Sequence, residues 1–300
     1  MCMADMPKFT VFTPTYNRSG TLVRVYECLL SQSFKNFEWL IVDDGSTDET
    51  NKLISKWSAE GKLDIVHLRQ QNWGKHVAFN RGVDRARGEL FLPLDSDDIC
   101  TPVALERFLH HWTDIPMEVR GKFSGVTCHC MDEYGRIIGS TFPSAVEDAW
   151  PVQFLSNRRI SGEKWGFHRT DVLRKFRFPE IAGERFVPEG LIWNRIGCHY
   201  KMRFINESLR VYKALPGGLS SSSIRLRAAN PVSTCAYYRE KSELHLPLRV
   251  RAKAAVNYSR FYFHGRRNDR IVALGLKLSF LGLAVLPIGY AAYTLDRMRR

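Results

Sequence analysis

The first hundred residues alternate short apolar runs with longer segments whose apolar residues recur at helical spacing. Short apolar runs bounded by turn residues predict buried strands, and the segments between them predict amphipathic helices. The expected strands cover residues 8–13, 38–42, 65–68 and 90–94, and helices are expected from Ser19, after Ser46 and over 75–86. Strands separated by helices predict right-handed βαβ units, and therefore an α/β fold with a Rossmann-like, mostly parallel central sheet and helices on both faces.

Two turns in this pattern contain helix-start signals. Ser46 and Glu49 match the capping box S-x-x-E, so we expect the second helix to begin there and to continue to about Trp57. Thr101 followed by Pro102 matches an N-cap with proline at the first helical position. The residues between the fourth strand and Pro102 are therefore expected to form a strand-to-helix loop.

After Pro102 the pattern changes to short strands mixed with helix starts. Residues 123–131 and 136–141 predict a hairpin joined by a turn at 132–135. A Gly/Ser-rich segment at 213–222 predicts a domain boundary. We therefore expect one α/β domain over residues 1–222, with halves at 8–100 and 101–222, and a helical tail over residues 223–300.

The tail differs from the rest of the chain in charge. From Arg225 onward there are 15 Lys and Arg residues against 4 Asp and Glu, whereas residues 1–224 contain 29 against 27. A neutral body with a basic tail favours a local electrostatic anchor over general binding of nucleic acid. Nucleic acid is therefore not an expected partner, and a tail that binds it is the least favoured interpretation.

The tail also has the composition of a membrane-attaching segment. Residues 231–270 mix aromatic residues with arginine, as helices at anionic membrane surfaces do. Residues 271–295 are apolar except for Lys277, but Pro287 interrupts them and arginines flank both ends, so either crossing the bilayer or lying in it is compatible with the pattern. Glycines recur every seven residues here, which would permit homo-oligomerisation through this helix, although chance recurrence explains the spacing equally well. They are Gly275, Gly282 and Gly289.

Candidate chemistry lies where the strands end. Polar residues follow three predicted strands, at 15–17, 43–44 and 95–98, and the carboxyl ends of parallel strands meet at one edge of a sheet. Asp95, Asp97 and Asp98 fall within four positions, and a hard divalent cation would relieve their mutual repulsion. The sequence thus predicts a Mg²⁺ or Mn²⁺ site that receives a diphosphate, with an acidic helix-capping loop as the alternative.

Other kinds of site are excluded or disfavoured. No G-x-G-x-x-G follows the first strand and no G-x-x-x-x-G-K-[ST] occurs, so neither a dinucleotide site nor a P-loop is expected. Seven scattered cysteines without a C-x-x-C pair, and no apolar signal segment, favour a reduced cytoplasmic setting. The Cys128-His129-Cys130 triplet alternates within a predicted strand, which disfavours a metal site there because zinc needs a second ligand pair.

Three motifs identify a family. PTYNRSG follows the first strand, IVDDGSTDET follows the second, and NWGKHVAFNRGVDRARGELFLPLDSDD leads into and past the fourth. In this order and spacing they resemble the family 2 nucleotide-sugar glycosyltransferases of the GT-A fold, over about residues 8–213. The resemblance implies an inverting, metal-dependent hexosyl- or N-acetylhexosaminyltransferase of the bacterial cell-envelope type, which uses a nucleotide-sugar donor with uridine preferred over thymidine or guanosine.

The resemblance also implies residue roles in the half at 8–100. Asp43 would accept a hydrogen bond from the imide N–H of the base, and Asp97 would bind the cation. Asp95, with Ser96 beside it, would meet the ribose or, through water, the metal. Asp44 either contacts donor or satisfies backbone N–H groups of the following helix, and Lys75 either approaches the phosphates or is a solvated helix lysine. The base and ribose pocket would be lined by Pro14, Thr15 and Tyr16.

An inverting transfer also needs a carboxylate to deprotonate the acceptor hydroxyl. Family members usually carry a Glu-Asp pair with an arginine six residues beyond the Asp, and Glu189 lies six before Arg195. Here the pair is Pro188-Glu189, so the chain departs from the pattern, and Glu184 is a competing candidate. A helix N-terminal acid without catalytic role is the alternative for Glu189. Three further residues would contact sugar or belong to the core, namely Trp165, His168 and Trp193.

The expected function is transfer of a sugar to a lipid-linked or cell-envelope glycan acceptor at the cytoplasmic membrane face, with attachment through the tail. A non-catalytic GT-A scaffold at the membrane is the alternative, and it is disfavoured because every acid that the family needs has a counterpart.

Overall fold

All four predicted strands of the amino-terminal half are present in the computed structural model, which describes residues 6–158, 160–212, 223–265 and 284–298. The chain forms two compact units. The first contains residues 1–151, 160–177 and 196–213, and the second contains residues 152–159, 178–195 and 214–300. Residues 178–195, which the sequence assigned to the acceptor half, are thus grouped with the carboxyl-terminal helices.

The first unit holds all of the described strands and six of the described helices. Its strands are β1 (Phe9–Thr15), β2 (Phe37–Asp43), β3 (Ile65–Arg69), β4 (Leu90–Pro93), β5 (Ile99–Cys100), β6 (Phe123–Met131), β7 (Val146–Ala149), β8 (Lys164–Arg169) and β9 (Lys201–Val211). The helices within the first unit are α1 (Ser19–Leu30), α2 (Thr50–Glu60), α3 (Lys75–Arg85), α4 (Ala104–Thr113), α5 (Met117–Arg120) and α7 (Thr170–Lys175).

The remaining helices lie wholly or mainly in the second unit. They are α6 (Pro151–Asn157), α8 (Gly190–Gly197), α9 (Ser223–Ala229), α10 (Pro231–Glu243), α11 (Leu248–Gly265) and α12 (Leu286–Met298).

In the described part of the chain the strands form one nine-stranded sheet in the order β3-β2-β1-β4-β8-β6-β9-β5, with β7 paired to β9. Strands β3, β2, β1 and β4 are parallel, as the βαβ pattern predicts. Beyond β4 the sheet is mixed: β8 runs antiparallel to β4 and β6, while β6 and β9 are parallel. The α/β class is therefore confirmed, but "mostly parallel" describes only the amino-terminal half.

Strands β1 and β2 are buried along their whole length, which explains their continuous apolar sequence. Helix α1 packs on this sheet. The ring of its Tyr26 stacks on Trp57 of α2 at 4.5 Å. Trp39 lies beside them, and its indole N–H donates to the hydroxyl of Thr13 at 2.9 Å. This aromatic layer fixes the strands whose ends carry the candidate site.

The predicted start of the second helix is wrong. Helix α2 begins at Thr50 rather than after Ser46, and no capping box forms. The Ser46 hydroxyl instead accepts the backbone N–H of Asn17 at 2.9 Å, while Asp48 accepts the backbone N–H groups of Ser19 and Thr50. One carboxylate therefore serves the first turns of both α1 and α2, because their amino termini lie side by side.

The predicted hairpin is half correct. Strand β6 and the turn after it form as expected, but residues 136–141 contribute only an isolated bridge between Met131 and Ile137. Strand β6 is paired on both sides by β8 and β9, which come from much later in the sequence. A local hairpin partner therefore has no edge to occupy along most of β6.

The tail is a packed helical unit where it is described. Tyr258 and Phe261 of α11 are buried against Val232 and Cys235 of α10. The aromatic residues that suggested a membrane surface are thus partly used in an internal core. Residues 213–222 and 266–283, which include the predicted linker and most of the predicted apolar segment, lie outside the described residues. Among the helices that are described, none combines the length and apolar character needed to cross a bilayer.

Helix α12 is joined to α11 by close contacts. A side chain at Gly289 would collide with Ser259, whose Cβ would lie 2.4 Å from the added atom. Asp296 accepts hydrogen bonds from Arg260 at 2.6 Å and pairs with His264 at 3.0 Å. Gly289 therefore serves a contact within this unit, and Gly275 and Gly282 lie outside the described residues.

Candidate active site

Parallel pairing brings the predicted donor residues to one edge of the sheet. Thr15, the last residue of β1, lies opposite Asp43, the last residue of β2. On the other side of β1, Phe12 lies opposite Pro93, two residues before Asp95. The carboxyl ends of β1, β2 and β4 therefore present their polar residues together, as the sequence predicts.

Asp43 is fully buried and is held in place by its own turn. Its Oδ1 accepts the backbone N–H of Ser46 at 2.8 Å. Its Oδ2 lies 3.5 Å from Nε of Arg69 but accepts no hydrogen bond from any described residue. Leaving a buried carboxylate oxygen without a hydrogen bond is costly, so this oxygen is prepared to accept one from a ligand.

A cavity of about 570 Å³ lies next to this turn. Arg69, which pairs with Asp43, is one of its lining residues. The other lining residues are Gly45, Gln70, Gln71 and Asn72.

The loop after β1 forms the neighbouring wall. Pro14 and Thr15 are buried, and the Thr15 hydroxyl makes no hydrogen bond within the described structure. Tyr16 is 44% exposed. Asn17 adopts a left-handed conformation with φ of 52°, and its Oδ1 accepts the N–H of Thr47 at 2.8 Å. The loop is therefore locked to the turn after β2, with Tyr16 left at the surface.

Asp44 has a different role from Asp43. Its carboxylate accepts hydrogen bonds from Gln70 at 2.6 Å and from the backbone N–H groups of Trp73 and Gly74 at 2.9 Å each. Burial raises its pKa, although these hydrogen bonds oppose the rise. Of the two roles considered for Asp44, the geometry favours support of the loop that leads into α3.

Residues 95–98, here called the aspartate loop, connect β4 to the short strand β5. Lys75, the first residue of α3, lies 2.8 Å from Oδ1 of Asp95. Burial alone would raise the pKa of Asp95, but the charge and hydrogen bond of Lys75 hold it below its usual range. Ser96 is buried beside it. Lys75 is thus neither a solvated helix lysine nor remote from the candidate site.

Sequence reasoning missed Arg210. This residue of β9 is only 8% exposed, and its guanidinium lies 2.9 Å from Oδ2 of Asp98 and 3.3 Å from Glu163. Burial raises the pKa of Asp98 to about 7 against the opposing charge of Arg210. The signal that could have found Arg210 is the alternating pattern of the strand at 201–211, but nothing in it names Asp98 as the partner.

The aspartate loop fits a hard divalent cation that binds together with a diphosphate. Asp97 is half-buried and makes no hydrogen bond or ion pair with the described residues, which leaves both its oxygens available. Asp95 has a carboxylate that Lys75 keeps ionised. Magnesium is commonly bound by one or two carboxylates plus substrate phosphates, so two aspartates suffice.

The structure does not gather a closed metal site from protein ligands alone. Among the described residues, the one group of three or more His, Cys, Asp or Glu side chains with ligand atoms within 4.8 Å is His110, His111 and Asp114. His111 is already 2.6 Å from Glu207, and the other two are exposed at the end of α4. Cys128 and Cys130 are buried, and His129 pairs with Asn206 at 2.7 Å, so the triplet belongs to the sheet.

The two candidate bases lie in the second unit and differ in surroundings. Glu184 is 6% exposed, and its carboxylate accepts the backbone N–H groups of Val232 at 2.6 Å and Ser233 at 2.8 Å. These N–H groups belong to the first turn of α10, whose N-cap residue Asn230 makes no side-chain capping hydrogen bond. Glu189 is exposed and directly precedes α8, where its carbonyl accepts the N–H of Ile192.

The aromatic candidates are mainly structural. Trp165 is buried, its indole N–H donates to the carbonyl of Pro93 at 2.6 Å, and its ring packs on Phe108. Burial lowers the pKa of His168 to about 4, so it is neutral at pH 7. Trp193 packs edge-on against Phe178. Of the two fates considered for Trp165, a core position is the one observed.

Comparison with known proteins finds a family whose model matches part of the chain. Residues 10–121 match the family described as Glycosyl transferase family 2. "Glycosyltransferase GlyG" of Streptococcus pneumoniae is 26% identical over 234 residues, which cover 74% of this chain and 76% of that protein. "GalNAc(5)-diNAcBac-PP-undecaprenol beta-1,3-glucosyltransferase" of Campylobacter jejuni is 26% identical over 220 residues, covering 69% of this chain and 65% of that enzyme.

A solved structure gives the fold. Residues 1–349 of S. aureus TarS in complex with UDP-GlcNAc superpose with a TM-score of 0.61 at 19% identity, covering 95% of this chain and 81% of that one. At this identity the likeness establishes the fold. Other curated relatives are longer: the chain spans 54% of one and 24% of another.

Proposed function

We propose that the chain is a glycosyl transferase of family 2 with the GT-A fold, and that it transfers a sugar from a UDP-sugar to a hydroxyl acceptor by an inverting, metal-dependent reaction. The observation that carries the proposal is the buried Oδ2 of Asp43, which accepts no hydrogen bond from the described residues and lies next to a cavity at the carboxyl edge of the sheet. A uracil ring offers an imide N–H to such an oxygen, and a charge-assisted hydrogen bond of this kind contributes about 1.5–3 kcal/mol.

The rest of the donor would follow the sheet edge from β2 to β4. Thr15 and Tyr16 would contact base and ribose, and Asp95 with Ser96 would meet the ribose. The diphosphate would lie at the aspartate loop, with Lys75 close enough to add positive charge once Asp95 has another partner. A divalent cation held by Asp97 and Asp95 would stabilise the departing diphosphate as its bond to the anomeric carbon breaks.

Glu189 is the proposed base. In an inverting transfer one carboxylate accepts the proton of the acceptor hydroxyl while that oxygen attacks the anomeric carbon. Glu189 is exposed, whereas both oxygens of Glu184 accept backbone hydrogen bonds that hold α10. A group already committed to a helix terminus is a poor proton acceptor, because protonation would break those bonds.

We further propose a lipid-linked or cell-envelope glycan as acceptor, and attachment to the cytoplasmic face of the membrane through the tail. The name of the Campylobacter jejuni relative, which specifies an undecaprenol diphosphate-linked acceptor, supports the acceptor class. The surplus of basic residues after Arg225 supports an anionic surface as the partner of the tail. Partition of the full chain between membranes and supernatant at low salt tests attachment, and a chain found entirely in the supernatant would contradict it.

The experiment that tests the reaction is a donor panel with two acid variants. Purified full-length chain is incubated with UDP-glucose, UDP-galactose, UDP-GlcNAc and UDP-GalNAc, with Mn²⁺, and UDP release is measured. Glu189→Gln should lower kcat by roughly 10²–10⁴-fold while UDP binding stays unchanged. Glu184→Gln should lower the melting temperature instead, since it weakens the support of α10. Equal loss of UDP binding in both variants would remove Glu189 from the base role.

A further inference from the structure

Two buried thiols meet behind the aspartate loop. Sγ of Cys28, on the buried face of α1, lies 3.7 Å from Sγ of Cys100 in β5. Both are free cysteines, 7% and 3% exposed respectively. They are 72 residues apart in the sequence, so the fold alone brings them together.

Gln32 holds the two thiols in contact. Its amide nitrogen donates to the carbonyl of Cys28 at 3.1 Å, to Sγ of Cys100 at 3.4 Å and to the carbonyl of Thr101 at 2.8 Å. Its amide oxygen accepts the backbone N–H of Leu105 at 3.2 Å. One side chain thus ties α1 to the segment that runs from β5 into α4, and it limits how far the two sulfur atoms can separate.

We propose that Cys28 and Cys100 are an oxidative modification site, where a peroxide converts the two thiols into a disulfide. A disulfide has a sulfur–sulfur bond of about 2.05 Å, so the sulfur atoms must approach by less than 2 Å from their present separation of 3.7 Å.

The chemistry balances with hydrogen peroxide as the two-electron oxidant. The thiolate of one cysteine attacks a peroxide oxygen, forms a sulfenic acid and releases water after protonation of the departing hydroxide. The second thiol then attacks the sulfenic sulfur, the S–S bond forms, and a second water leaves. Two thiols and one peroxide yield one disulfide and two waters, and a dithiol such as dithiothreitol reverses the change.

Cys28 is suited to react first. The hydrogen bond from Cys100 lowers the pKa of the Cys28 thiol, although burial opposes this effect. The same hydrogen bond, together with burial, raises the pKa of Cys100 well above its usual range. Cys28, the more acidic and slightly more exposed of the two cysteines, therefore forms the thiolate that attacks the peroxide. Cys100 becomes the resolving thiol.

The disulfide would change the candidate active site, an effect that rests on the proposed function. Cys100 follows Asp98 by two residues, and in the sheet it lies opposite Arg210, the ion-pair partner of Asp98. Drawing Cys100 toward α1 therefore displaces the aspartate loop and its buried ion pair together. A misplacement of about 1 Å can cost 10²-fold in rate, so we expect oxidation to lower turnover by at least 10-fold.

The cross-link can be measured without any activity assay. Full-length chain is treated with equimolar hydrogen peroxide at pH 7, remaining thiols are blocked with N-ethylmaleimide, and a tryptic digest is analysed by mass spectrometry. Cleavage after Arg24, Lys35, Arg87 and Arg107 yields peptides 25–35 and 88–107, each with a single cysteine. We expect these peptides joined with the loss of two hydrogens, and separated again by dithiothreitol.

Matched variants isolate the pair from other oxidation. Cys28→Ser and Cys100→Ser should each abolish the joined peptide and make UDP release resistant to peroxide, with Cys28→Ala as a second variant if the serine destabilises the fold. Cys198→Ser, at an exposed cysteine, should behave as the wild-type chain. Absence of the joined peptide while Cys198 becomes oxidised would overturn the modification site. A joined peptide with unchanged turnover would overturn the effect of the disulfide on the candidate active site. A chain that transfers no sugar at all but still cross-links would contradict only the proposed function.

Discussion

The acids at the ends of β2 and β4 are held in opposite ways. Asp43 and Asp44 are held mainly by backbone N–H groups, from the turn after β2 and from the loop after β3, although Arg69 of β3 also lies 3.5 Å from Asp43. Asp95 and Asp98 are fixed by cations from other elements, Lys75 of α3 and Arg210 of β9. The backbone donors are fixed by the conformation of the two loops, whereas the ion pairs depend on flexible side chains that other elements bring to the loop.

The two kinds of support suit two different roles, namely recognition of the base and binding of the metal and diphosphate. A carboxylate fixed by its turn keeps one orientation, which suits a hydrogen bond to a base of fixed shape. A carboxylate paired with a mobile cation can exchange that partner for another positive charge, which suits a site that binds a metal and a diphosphate and then releases them. Asp97 lies between the two paired aspartates without a partner among the described residues, so it is the natural first ligand.

The largest effect is expected at Asp97. Replacing Asp97 with Ala should lower kcat/KM for sugar transfer by at least roughly 10³-fold, because a bound cation contributes several kcal/mol and each tenfold corresponds to 1.36 kcal/mol. UDP release with Mn²⁺ measures it. Asp114→Ala, at an exposed carboxylate at the end of α4, is the matched control and should be neutral. Transfer that survives in Asp97→Ala would contradict the role of Asp97 as a metal ligand, whereas a biological output left unchanged by Asp97→Ala would favour a scaffold over an enzyme.

Breaking the buried ion pair should mainly affect stability. Arg210→Met leaves the carboxylate of Asp98 buried without its partner, and removing one member of a buried pair costs about 3–5 kcal/mol. Urea unfolding monitored by tryptophan fluorescence measures the loss. The double variant Asp98→Asn with Arg210→Met removes both charges and should recover part of it. If the double variant is no more stable than the single one, the pairing is not what holds the loop.

A smaller effect, confined to binding, is expected at Asp43. Asp43→Asn replaces an anionic acceptor with a neutral amide, and UDP affinity should fall roughly 10- to 100-fold, as expected for the loss of a charge-assisted hydrogen bond. Isothermal titration with UDP measures this change. Asp64→Asn, which removes an exposed carboxylate paired with Arg87, should leave UDP affinity unchanged. Equal affinity in the Asp43 and Asp64 variants would place the base elsewhere.

The smallest expected effect is at Asp48, where the support is again local. Asp48→Ala should cost about 1 kcal/mol of unfolding free energy, a typical value for a lost helix cap. Hydrogen bonds from Thr50 and Ser19 lower the pKa of Asp48 to about 2, although burial opposes the shift. Because the folded pKa is depressed, this stability is present above the unfolded pKa of about 3.9 and is lost as the pH falls toward 2. Urea unfolding of both chains from pH 7 to pH 3 should show the difference shrink; a constant difference would mean that the carboxylate charge plays no part.

The features that could be predicted from the sequence are those that depend on local contacts. Strands β1 to β4 are predicted by local apolar runs, and Asp43, Asp95 and Asp97 follow those runs directly. Both the carboxyl edge of the sheet and its acids could therefore be predicted from the sequence. The capping box at Ser46 failed because the hydroxyl is taken by Asn17 in another loop. A local motif predicts a hydrogen bond correctly only when no group from another loop occupies the same side chain.

Long-range partners could not be predicted from pattern. Arg210 lies in an ordinary strand, and only the pairing of β5 with β9 brings it to Asp98. The contact of Cys28 with Cys100 depends in the same way on how α1 packs against β5. The hairpin expected after β6 failed because strands from distant positions pair with both edges of β6. Each of these features depends on tertiary pairing, which local periodicity does not encode.

The central claim is that acids at two strand ends bind one nucleotide sugar, one through its base and the other through a cation. Isothermal titration of UDP with and without Mn²⁺, in wild-type chain, Asp43→Asn and Asp97→Ala, tests it most directly. Mn²⁺ should tighten UDP binding in the wild-type chain and in Asp43→Asn. It should not tighten UDP binding in Asp97→Ala, and the metal-free UDP affinity of that variant should equal that of the wild-type chain. Tightening by Mn²⁺ that persists in Asp97→Ala would contradict the central claim.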